Sequence, residues 1–265
     1  MIIVKIGGSV FSDKKGEPEN FDHETVRNIA KEIAKFYPRE DFIIVHGGGS
    51  FGHHYAKKYR IREGLPEDWD TANFRRVGFT ETHQAMLRAN ANFIKAFVRE
   101  GLPAFSVSTS SVFITENGEV AYGDLEVVER LLELRFIPVL FGDVSIDLAK
   151  GIDILSGDQI ITYLAKMLEP EKVIFLMDVD GIYDGKPGEG RLIQELRKGE
   201  IDSLLERLHC ISAGTDVTGG ICNKLREAKK IAEHSEVWFV NGKVPGRLSG
   251  AIRGDGFGTR IKTQI

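Results

Sequence analysis

The chain has 265 residues and a formal net charge of −4, and its 42% hydrophobic and 28% charged residues are typical of a globular protein. This balance disfavours electrostatic capture of nucleic acid or anionic membranes, and no apolar run approaches the roughly 20 residues that span a bilayer. Lys5 interrupts any signal-like stretch at the N-terminus, and two cysteines, Cys210 and Cys222, are too few for a disulfide framework, so we expect a cytoplasmic protein without a nucleic-acid or membrane partner.

Strand-length apolar runs alternate with segments of helical periodicity along most of the chain. Strands are predicted at residues 2–6, 42–45, 104–107, 137–141, 173–177 and 237–240, and helices at residues 24–36, 74–99, 124–135, 159–168 and 221–233. Continuous apolar strands between amphipathic helices predict an α/β fold with a mostly parallel sheet that is covered on both faces.

Two predicted hairpins interrupt this alternation. Residues 112–122 carry Asn117-Gly118, a strong two-residue turn signal, and residues 144–154 turn near Lys150-Gly151. We expect both hairpins in the half of the molecule that holds the smaller substrate.

The first strand opens into a glycine segment, Lys5-Ile6-Gly7-Gly8-Ser9. Lys5 lies among apolar residues, so its ammonium group is expected either near a cavity or, as a plain surface lysine, at a sheet edge. The segment lacks the Gly-Lys-Ser/Thr of a Walker motif and the third glycine of a dinucleotide fingerprint. A few residues further on, Lys14 belongs either to a solvated loop or to the same anion site.

The strand at 42–45 opens into a second glycine segment, His46-Gly47-Gly48-Gly49-Ser50-Phe51-Gly52-His53. Three consecutive glycines let backbone N–H groups crowd around an anion, because no Cβ stands in the way. His53 places an ionisable donor beside the same site, whereas His46 is interpreted as a structural residue at the strand end. Two such segments suggest two phosphate-bearing ligands and a transfer between them.

Three later segments carry candidate ligand-binding residues. Ser156-Gly157-Asp158 precedes a helix, and Asp158 either caps that helix or holds active-site lysines by charge pairing. Residues 178–183 suit a nucleoside with bound Mg²⁺, although their Asp-Gly is also an ordinary turn signal. Residues 215–220 open the helix that carries Lys224, a pattern that favours phosphate binding. We therefore predict an acceptor lobe in residues 1–170 and a nucleotide lobe in residues 171–265, on one continuous sheet.

Taken in order, four motifs resemble those of the amino acid kinase superfamily: Lys-x-Gly-Gly-Ser at 5–9, Gly-Gly-Gly at 47–49, Asp-Val-Asp-Gly at 178–181 and Asp-Val-Thr-Gly-Gly-x-x-x-Lys at 216–224. Within this superfamily, the segment at 46–53 looks like that of the isopentenyl phosphate kinases. The resemblance implies a three-layer αβα sandwich, usually a homodimer, that transfers the γ-phosphoryl group of ATP to isopentenyl phosphate. It also implies a place in isoprene biosynthesis, in the mevalonate pathway.

Carried over motif by motif, the resemblance implies a role for each segment. ATP would be bound by Lys5, Gly7, Gly8, Ser9, Gly49, Asp178, Tyr183, Gly219 and Lys224. Isopentenyl phosphate would be bound by Gly48, His53 and Gly157. Lys14 would neutralise charge during transfer, and Asp158 would organise the lysines, so that catalysis depends on Lys5, Lys14, His53 and Asp158.

The chemistry supports the same function without the family name. An attacking phosphate is already anionic and needs no general base, but the repulsion between two polyanions held in line must be cancelled. Lys5, Lys14, Lys224 and His53 provide the positive charge. Mg²⁺ is expected to arrive with ATP and to be held largely by its phosphates, so we predict no metal site made by the protein.

The choice of acceptor is expected to depend on its tail. Phe79 and His83 lie on one stripe of the helix at 74–99, and with Ile146 they are predicted to line a short apolar pocket for a five-carbon tail. Met86 and Phe93, on the same stripe, are interpreted as ordinary core residues.

Two alternatives stay open from the sequence. The same fold could phosphorylate fosfomycin, or a carboxylate as acetylglutamate and aspartate kinases do, for which Arg75 and Arg76 could supply a guanidinium fork. The chain could also be a non-catalytic sensor built on this fold. Such a sensor could lose Lys5, Lys14 or Lys224, and all three are present.

Overall fold

The structure, a computed structural model, describes residues 1–13, 17–187, 189–208, 210 and 220–263. Within these residues the strands are β1 (Ile2–Ile6), β2 (Phe42–His46), β3 (Ala104–Ser106), β4 (Phe113–Glu116), β5 (Glu119–Gly123), β6 (Ile137–Phe141), β7 (Asp143–Asp147), β8 (Gly151–Leu155), β9 (Lys172–Met177), β10 (Glu195–Leu196), β11 (Glu236–Asn241) and β12 (Thr259–Ile261). The helices are α1 (Gly8–Phe11), α2 (His23–Ala34), α3 (Gly49–Lys58), α4 (Trp69–Arg99), α5 (Thr109–Val112), α6 (Glu126–Glu133), α7 (Gly157–Leu168), α8 (Ile201–Arg207), α9 (Ile221–Ile231) and α10 (Arg247–Arg253), with short 3₁₀ helices at Ile61–Glu63 and Lys198–Glu200.

Eight of these strands form one sheet in the order β10-β12-β11-β9-β1-β2-β6-β3. β1 is central and pairs in parallel with β2 on one side and with β9 on the other. Of the described pairs in this sheet, only β11 with β12 is antiparallel. The prediction of a mostly parallel sheet is confirmed, and strands from both predicted lobes belong to it.

Each face of this sheet has its own hydrophobic core, because alternate residues of a strand point to opposite faces. Ile2, Val4 and Ile6 of β1 pack with residues of α1, α2, α3, α4 and α10, whereas Ile3 packs with residues of α6, α7, α8 and α9. Helices thus cover both faces, which explains why the strands read as continuous apolar runs. The predicted three-layer αβα sandwich is confirmed.

The two predicted hairpins form a second sheet of four strands, in the order β5-β4-β7-β8. Asn117 and Gly118 have φ values of 52° and 82°, the left-handed conformations that a tight two-residue turn requires. Asp147 joins this turn to the next one, because its carboxylate accepts hydrogen bonds from Gly118 N at 2.8 Å and Lys150 N at 2.9 Å. Burial alone would raise the pKa of Asp147, but the N–H groups around it hold it at about 2.

Several helices differ from the sequence-based prediction, and α3 and α4 lie nearest to the predicted site residues. α3 occupies a glycine-rich segment that reads as a loop, because glycine disfavours the interior of a helix. α4 begins at Trp69, before the predicted start at residue 74. Its N-cap residue Asp68 accepts a hydrogen bond from Thr71 N at 2.9 Å, and its first three residues are exposed, so no apolar periodicity reveals the start of the helix.

The structure can be compared with two expectations from the composition, which concern disulfide bonds and membrane-spanning segments. Cys210 and Cys222, too few for a framework, form a single disulfide. In the part of the chain that the structure describes, no helix has both the length and the apolar character needed to span a bilayer.

Candidate active site

The carboxyl ends of the central parallel strands meet along one edge of the large sheet. β1 is followed by Gly7, β2 by Gly47, β6 by Gly142 and β9 by Asp178. The chain leaves β1 for β2 on one side and later returns to β9 on the other, so the strand order reverses at β1. Ligands of open α/β sheets bind at such a reversal.

The two glycine segments touch at this edge. A Cβ added to Gly8 would lie 2.7 Å from the backbone N of Gly49, and one added to Gly47 would lie 3.0 Å from the N of Gly8. The first distance is shorter than any real side chain tolerates, so only glycine lets the two segments pack this closely. Gly49 itself has a φ of 52°, and a Cβ there would lie 2.2 Å from Ser12 Oγ.

Each glycine segment begins a helix without a side-chain cap. α1 starts after Gly7 and α3 after Gly48, and neither residue offers a side chain to the first turn. In contrast, α2, α4 and α7 are capped by the side chains of Asp22, Asp68 and Ser156. The first-turn amides of α1 and α3 that have no partner within the protein are therefore suited to binding anions.

Ser12 fixes these two helix starts relative to each other. Its hydroxyl donates to Gly8 O at 2.9 Å and accepts a hydrogen bond from Ser50 N, also at 2.9 Å. The N–H of Gly7 donates to Leu176 O at 3.0 Å, so this predicted phosphate ligand uses its amide within the sheet. Sequence reasoning missed Ser12, because its role depends on a partner in a distant segment.

Asp158 holds two lysines at the same edge. Its Oδ1 lies 3.0 Å from Lys5 Nζ, and its Oδ2 lies 3.0 Å from Lys224 Nζ. Lys5 shares a face of β1 with Ile3, and that face is covered by α7 and α9, which carry Asp158 and Lys224. Burial alone would raise the pKa of Asp158, but the two ammonium groups hold it well below its usual range. The carboxylate therefore organises two cations and is unsuited to act as a base.

Gly157 makes room for the Lys5 side chain. A Cβ at Gly157 would lie 2.6 Å from Lys5 Cε and 3.2 Å from His46 O. Ser156 caps α7 and forms a capping box with Gln159. Of the two roles predicted for Asp158, the pairing with lysines is thus the one that the geometry supports.

The two histidines at the ends of the second glycine segment have different environments. His46 is buried, with Nδ1 3.0 Å from Gly47 O and its ring stacked on Phe93 at a centroid distance of 4.2 Å. Burial lowers the pKa of His46 to about 4, so the ring is neutral at pH 7. His53 is exposed on α3, and its backbone N lies 3.8 Å from the position of a Gly48 Cβ. A ligand at the start of α3 can therefore reach His53, whereas His46 is structural.

The residues predicted to bind the nucleotide follow β9. Asp178 is exposed at the strand end, and Tyr183 is half-buried in a bridge to Leu192. Asn241, at the end of β11, donates from Nδ2 to Asp180 Oδ1 at 3.2 Å and joins the ends of the two strands, a contact that the sequence did not predict.

The predicted residues Lys14 and Gly219 lie outside the described residues. Within the described ranges, no group of three or more His, Cys, Asp or Glu residues is arranged to hold a metal ion.

The predicted residues of the acceptor-tail pocket lie beside the smaller sheet. Phe79 packs against a buried apolar cluster that includes Val144 and Ile152. Ile146 lies on the same face of β7 as Val144 and is 49% exposed, so this apolar surface is open at one end. His83 has a polar partner there, since its Nδ1 lies 2.7 Å from Oδ2 of the buried Asp143.

The two arginines that could clamp a carboxylate acceptor already have other partners. Arg75 is buried and donates to Gly64 O and to Glu63 Oε2, both at 2.6 Å. Arg76 lies over the ring of Trp69, with 5.0 Å between its Cζ and the ring centroid. Neither guanidinium group is paired with the glycine segments.

Known proteins are similar to this chain in fold and over nearly its whole length. The sequence profile of the amino acid kinase family matches residues 1–241. The isopentenyl phosphate kinase of Methanothermobacter thermautotrophicus is 37% identical over 98% of both chains, and that of Methanocaldococcus jannaschii is 33% identical, also over 98% of both. An X-ray structure of an isopentenyl phosphate kinase, 32% identical, superimposes with a TM-score of 0.84 and covers 98% of this chain and 99% of that chain.

Proposed function

The chain belongs to the amino acid kinase family, and we propose that it transfers the γ-phosphoryl group of ATP to isopentenyl phosphate, forming isopentenyl diphosphate and ADP. One observation carries this proposal: the Lys5–Asp158–Lys224 cluster lies at the edge where the two glycine segments touch. Two ammonium groups and the starts of two helices whose N-cap residues are glycines supply the positive potential that two polyanions held in line require.

ATP occupies the β1, β9 and α9 side of the cleft in this proposal. Its phosphates lie against the first turn of α1 and near Gly49, with Lys5 and Lys224 as charge partners. Gly7 and Gly219 complete the predicted phosphate-binding segments. Asp178 and Tyr183, which follow β9, face the rest of the nucleotide, as expected for a nucleotide lobe in residues 171–265.

Isopentenyl phosphate occupies the β2 and α3 side, in the predicted acceptor lobe of residues 1–170. Gly48 at the start of α3 and the exposed His53 bind its phosphate, and Gly157 lines the same site. The apolar surface with Phe79 and Ile146 receives the five-carbon tail.

The proposed reaction is a single in-line displacement. An oxygen of the acceptor phosphate attacks the γ-phosphorus, the bond from that phosphorus to the bridging oxygen breaks, and ADP leaves with the electron pair. No residue removes a proton, because the attacking oxygen is already anionic. Lys5, Lys14 and His53 neutralise the charge of the moving phosphoryl group, and Asp158 keeps Lys5 and Lys224 in place.

In this proposal Mg²⁺ accompanies ATP and is held largely by its phosphates. This agrees with a site rich in lysine and with the engagement of Asp158 by two ammonium groups.

The cellular setting is also part of the proposal. We infer a cytoplasmic homodimer that works in isoprene biosynthesis, in the mevalonate pathway. These assignments rest on the family and on the substrate, an alkyl phosphate that is converted into a prenyl diphosphate.

A carboxylate acceptor, as in an acetylglutamate or aspartate kinase, is disfavoured by the arginines. The guanidinium group of Arg75 is used by Glu63 and Gly64, so it is not available as a clamp for a substrate carboxylate. A phosphonate such as fosfomycin carries the same charge as the proposed acceptor and differs in its tail. The non-catalytic sensor is disfavoured because the chain keeps Lys5, Lys14 and Lys224.

The test is an ADP-release assay with MgATP and four acceptors: isopentenyl phosphate, fosfomycin, N-acetylglutamate and aspartate. The proposal predicts that isopentenyl phosphate has the highest kcat/KM of the four. Activity confined to the two amino acids would reject it, and a preference for fosfomycin would reassign the acceptor within the same fold.

A further inference from the structure

Asp143 is a buried carboxylate beside the glycine segments for which the proposed reaction has no use. It starts β7 directly after Gly142, whose N–H donates to His46 O at 2.9 Å, so it lies next to the start of the second glycine segment. Its side chain is fully buried. Its Oδ1 accepts a hydrogen bond from Val144 N at 2.8 Å, and its Oδ2 lies 2.7 Å from His83 Nδ1.

His83 lies between the apolar surface and the glycine segments along α4. One turn before it, Phe79 packs on the apolar cluster of the smaller sheet. One turn after it, Met86 touches the helix that carries His53: a Cβ added to Gly52 would lie 2.8 Å from Met86 Sδ. An acceptor with its tail at Phe79 and its phosphate at the start of α3 would therefore run along the part of α4 that carries His83.

The pairing with Asp143 leaves His83 with one ring nitrogen for a ligand. The carboxylate of Asp143 accepts a hydrogen bond from Nδ1–H of His83. This hydrogen bond raises the pKa of His83, which favours the imidazolium form. Nε2 has no hydrogen-bond partner among the described residues, and it is open to a ligand because it is not buried and the His83 side chain is 24% exposed. A protonated Nε2 is a charged donor, the type of group that binds an oxyanion most strongly.

We propose that His83 is a second phosphate-binding residue of the acceptor site, donating from Nε2 to the phosphate of an alkyl phosphate where it joins its hydrocarbon tail, and that Asp143 is its positioning residue. This inference rests on the proposed function. It replaces the purely apolar role predicted for His83, and it explains why a buried carboxylate stands next to a surface that otherwise suits a tail. A charged donor at this junction selects acceptors in which a phosphate is followed directly by an apolar chain.

The test compares His83→Gln with the parent protein and with Gln84→Ala, a control on the exposed side of α4. Gln keeps a polar side chain but lacks the charge. We expect the KM for isopentenyl phosphate to rise about 10-fold or more in His83→Gln, as for the loss of one charged hydrogen bond, with the KM for ATP unchanged. Asp143→Asn should raise the same KM by a smaller factor, and Gln84→Ala should leave it unchanged.

A measurement on the parent protein covers the case in which a variant does not fold. With ¹⁵N-labelled histidine, the ring nitrogens of His83 should stay protonated to a higher pH than those of a free imidazole, and the Nε2 resonance should shift when isopentenyl phosphate is added without nucleotide. An unmoved resonance, an unchanged acceptor KM in a folded His83→Gln, or equal rises in both KM values would overturn the inference. A parent protein that does not phosphorylate isopentenyl phosphate rejects the proposed function itself, which separates the two failures.

Discussion

Gly8 and Gly49 are in such close contact that a single methyl group on Gly8 would lie 2.7 Å from the backbone N of Gly49. The neighbour is main chain at the start of α3 and cannot rotate away as a flexible side chain would. The absence of a side chain at Gly8 thus allows the starts of α1 and α3 to be in direct contact, and each helix limits the position of the other.

Gly8→Ala is therefore expected to push the two phosphate-binding segments apart. A displacement of this kind costs about 1–3 kcal/mol in stability and, because transfer depends on alignment, about 10²-fold in kcat/KM. Gly199→Ala is the matched control, since a Cβ there meets nothing within 4 Å. Steady-state kinetics and thermal unfolding of both variants test these two expected losses. Equal activity of the two variants would show that the segments need not touch.

Asp158→Asn should remove the counter-charge that fixes Lys5 and Lys224. We expect kcat to fall about 10²-fold or more, because the two cations repel each other and lose their position at the γ-phosphate. Asp153→Asn is the control, because Asp153 is also a buried carboxylate that pairs with a lysine, the half-buried Lys150, but in the smaller sheet. That variant should lose stability and keep its kcat. Normal turnover in folded Asp158→Asn would contradict the role given to the carboxylate.

His53→Ala should cut kcat/KM for isopentenyl phosphate by about 10²-fold, in line with the loss of one preorganised oxyanion donor. The KM for ATP should change little, because His53 lies on the acceptor side. The neighbouring His54→Ala, also exposed on α3, serves as the control. Near-normal transfer by His53→Ala, or an equal loss in His54→Ala, would remove His53 from the site.

Phe79→Ala should lengthen the apolar surface that receives the tail. Since Phe79 packs against the cluster that contains Val144 and Ile152, its removal leaves space at the end away from His83. We expect kcat/KM for geranyl phosphate to rise relative to that for isopentenyl phosphate. Val77→Ala, an exposed position on α4, should keep the parent ratio. An unchanged chain-length profile in Phe79→Ala would place the tail elsewhere.

The parts of the fold that depend on local pattern could be predicted from the sequence. β1 and β6 span the predicted residues 2–6 and 137–141, because strands buried on both faces read as short continuous apolar runs rich in β-branched residues. α10 was missed, since its N-terminus is capped by Glu32, which accepts a hydrogen bond from Gly246 N at 2.7 Å across a sequence separation of 214. No local pattern contains such a partner.

In the candidate site, too, residues that stand out in their own segment could be predicted, and residues that depend on a distant partner could not. Lys5 could be predicted because a lysine inside an apolar strand is unusual in its own segment. Asp158 could be predicted because its helix start is expected at the carboxyl edge of a parallel sheet, where ligands bind. Ser12 and Asp143 could not, because each matters only through a residue brought close by the fold. His83 was identified by its position on a helical stripe, and its chemistry changed when the structure gave it a carboxylate partner.

The most direct test of the central claim is ³¹P NMR of the protein with MgATP and isopentenyl phosphate. Transfer onto an existing phosphate predicts equal amounts of ADP and a new organic diphosphate, with the monoester signal falling in step. An unchanged monoester signal, or ADP accompanied only by inorganic phosphate, would contradict the proposal that the two touching glycine segments bring two phosphates together.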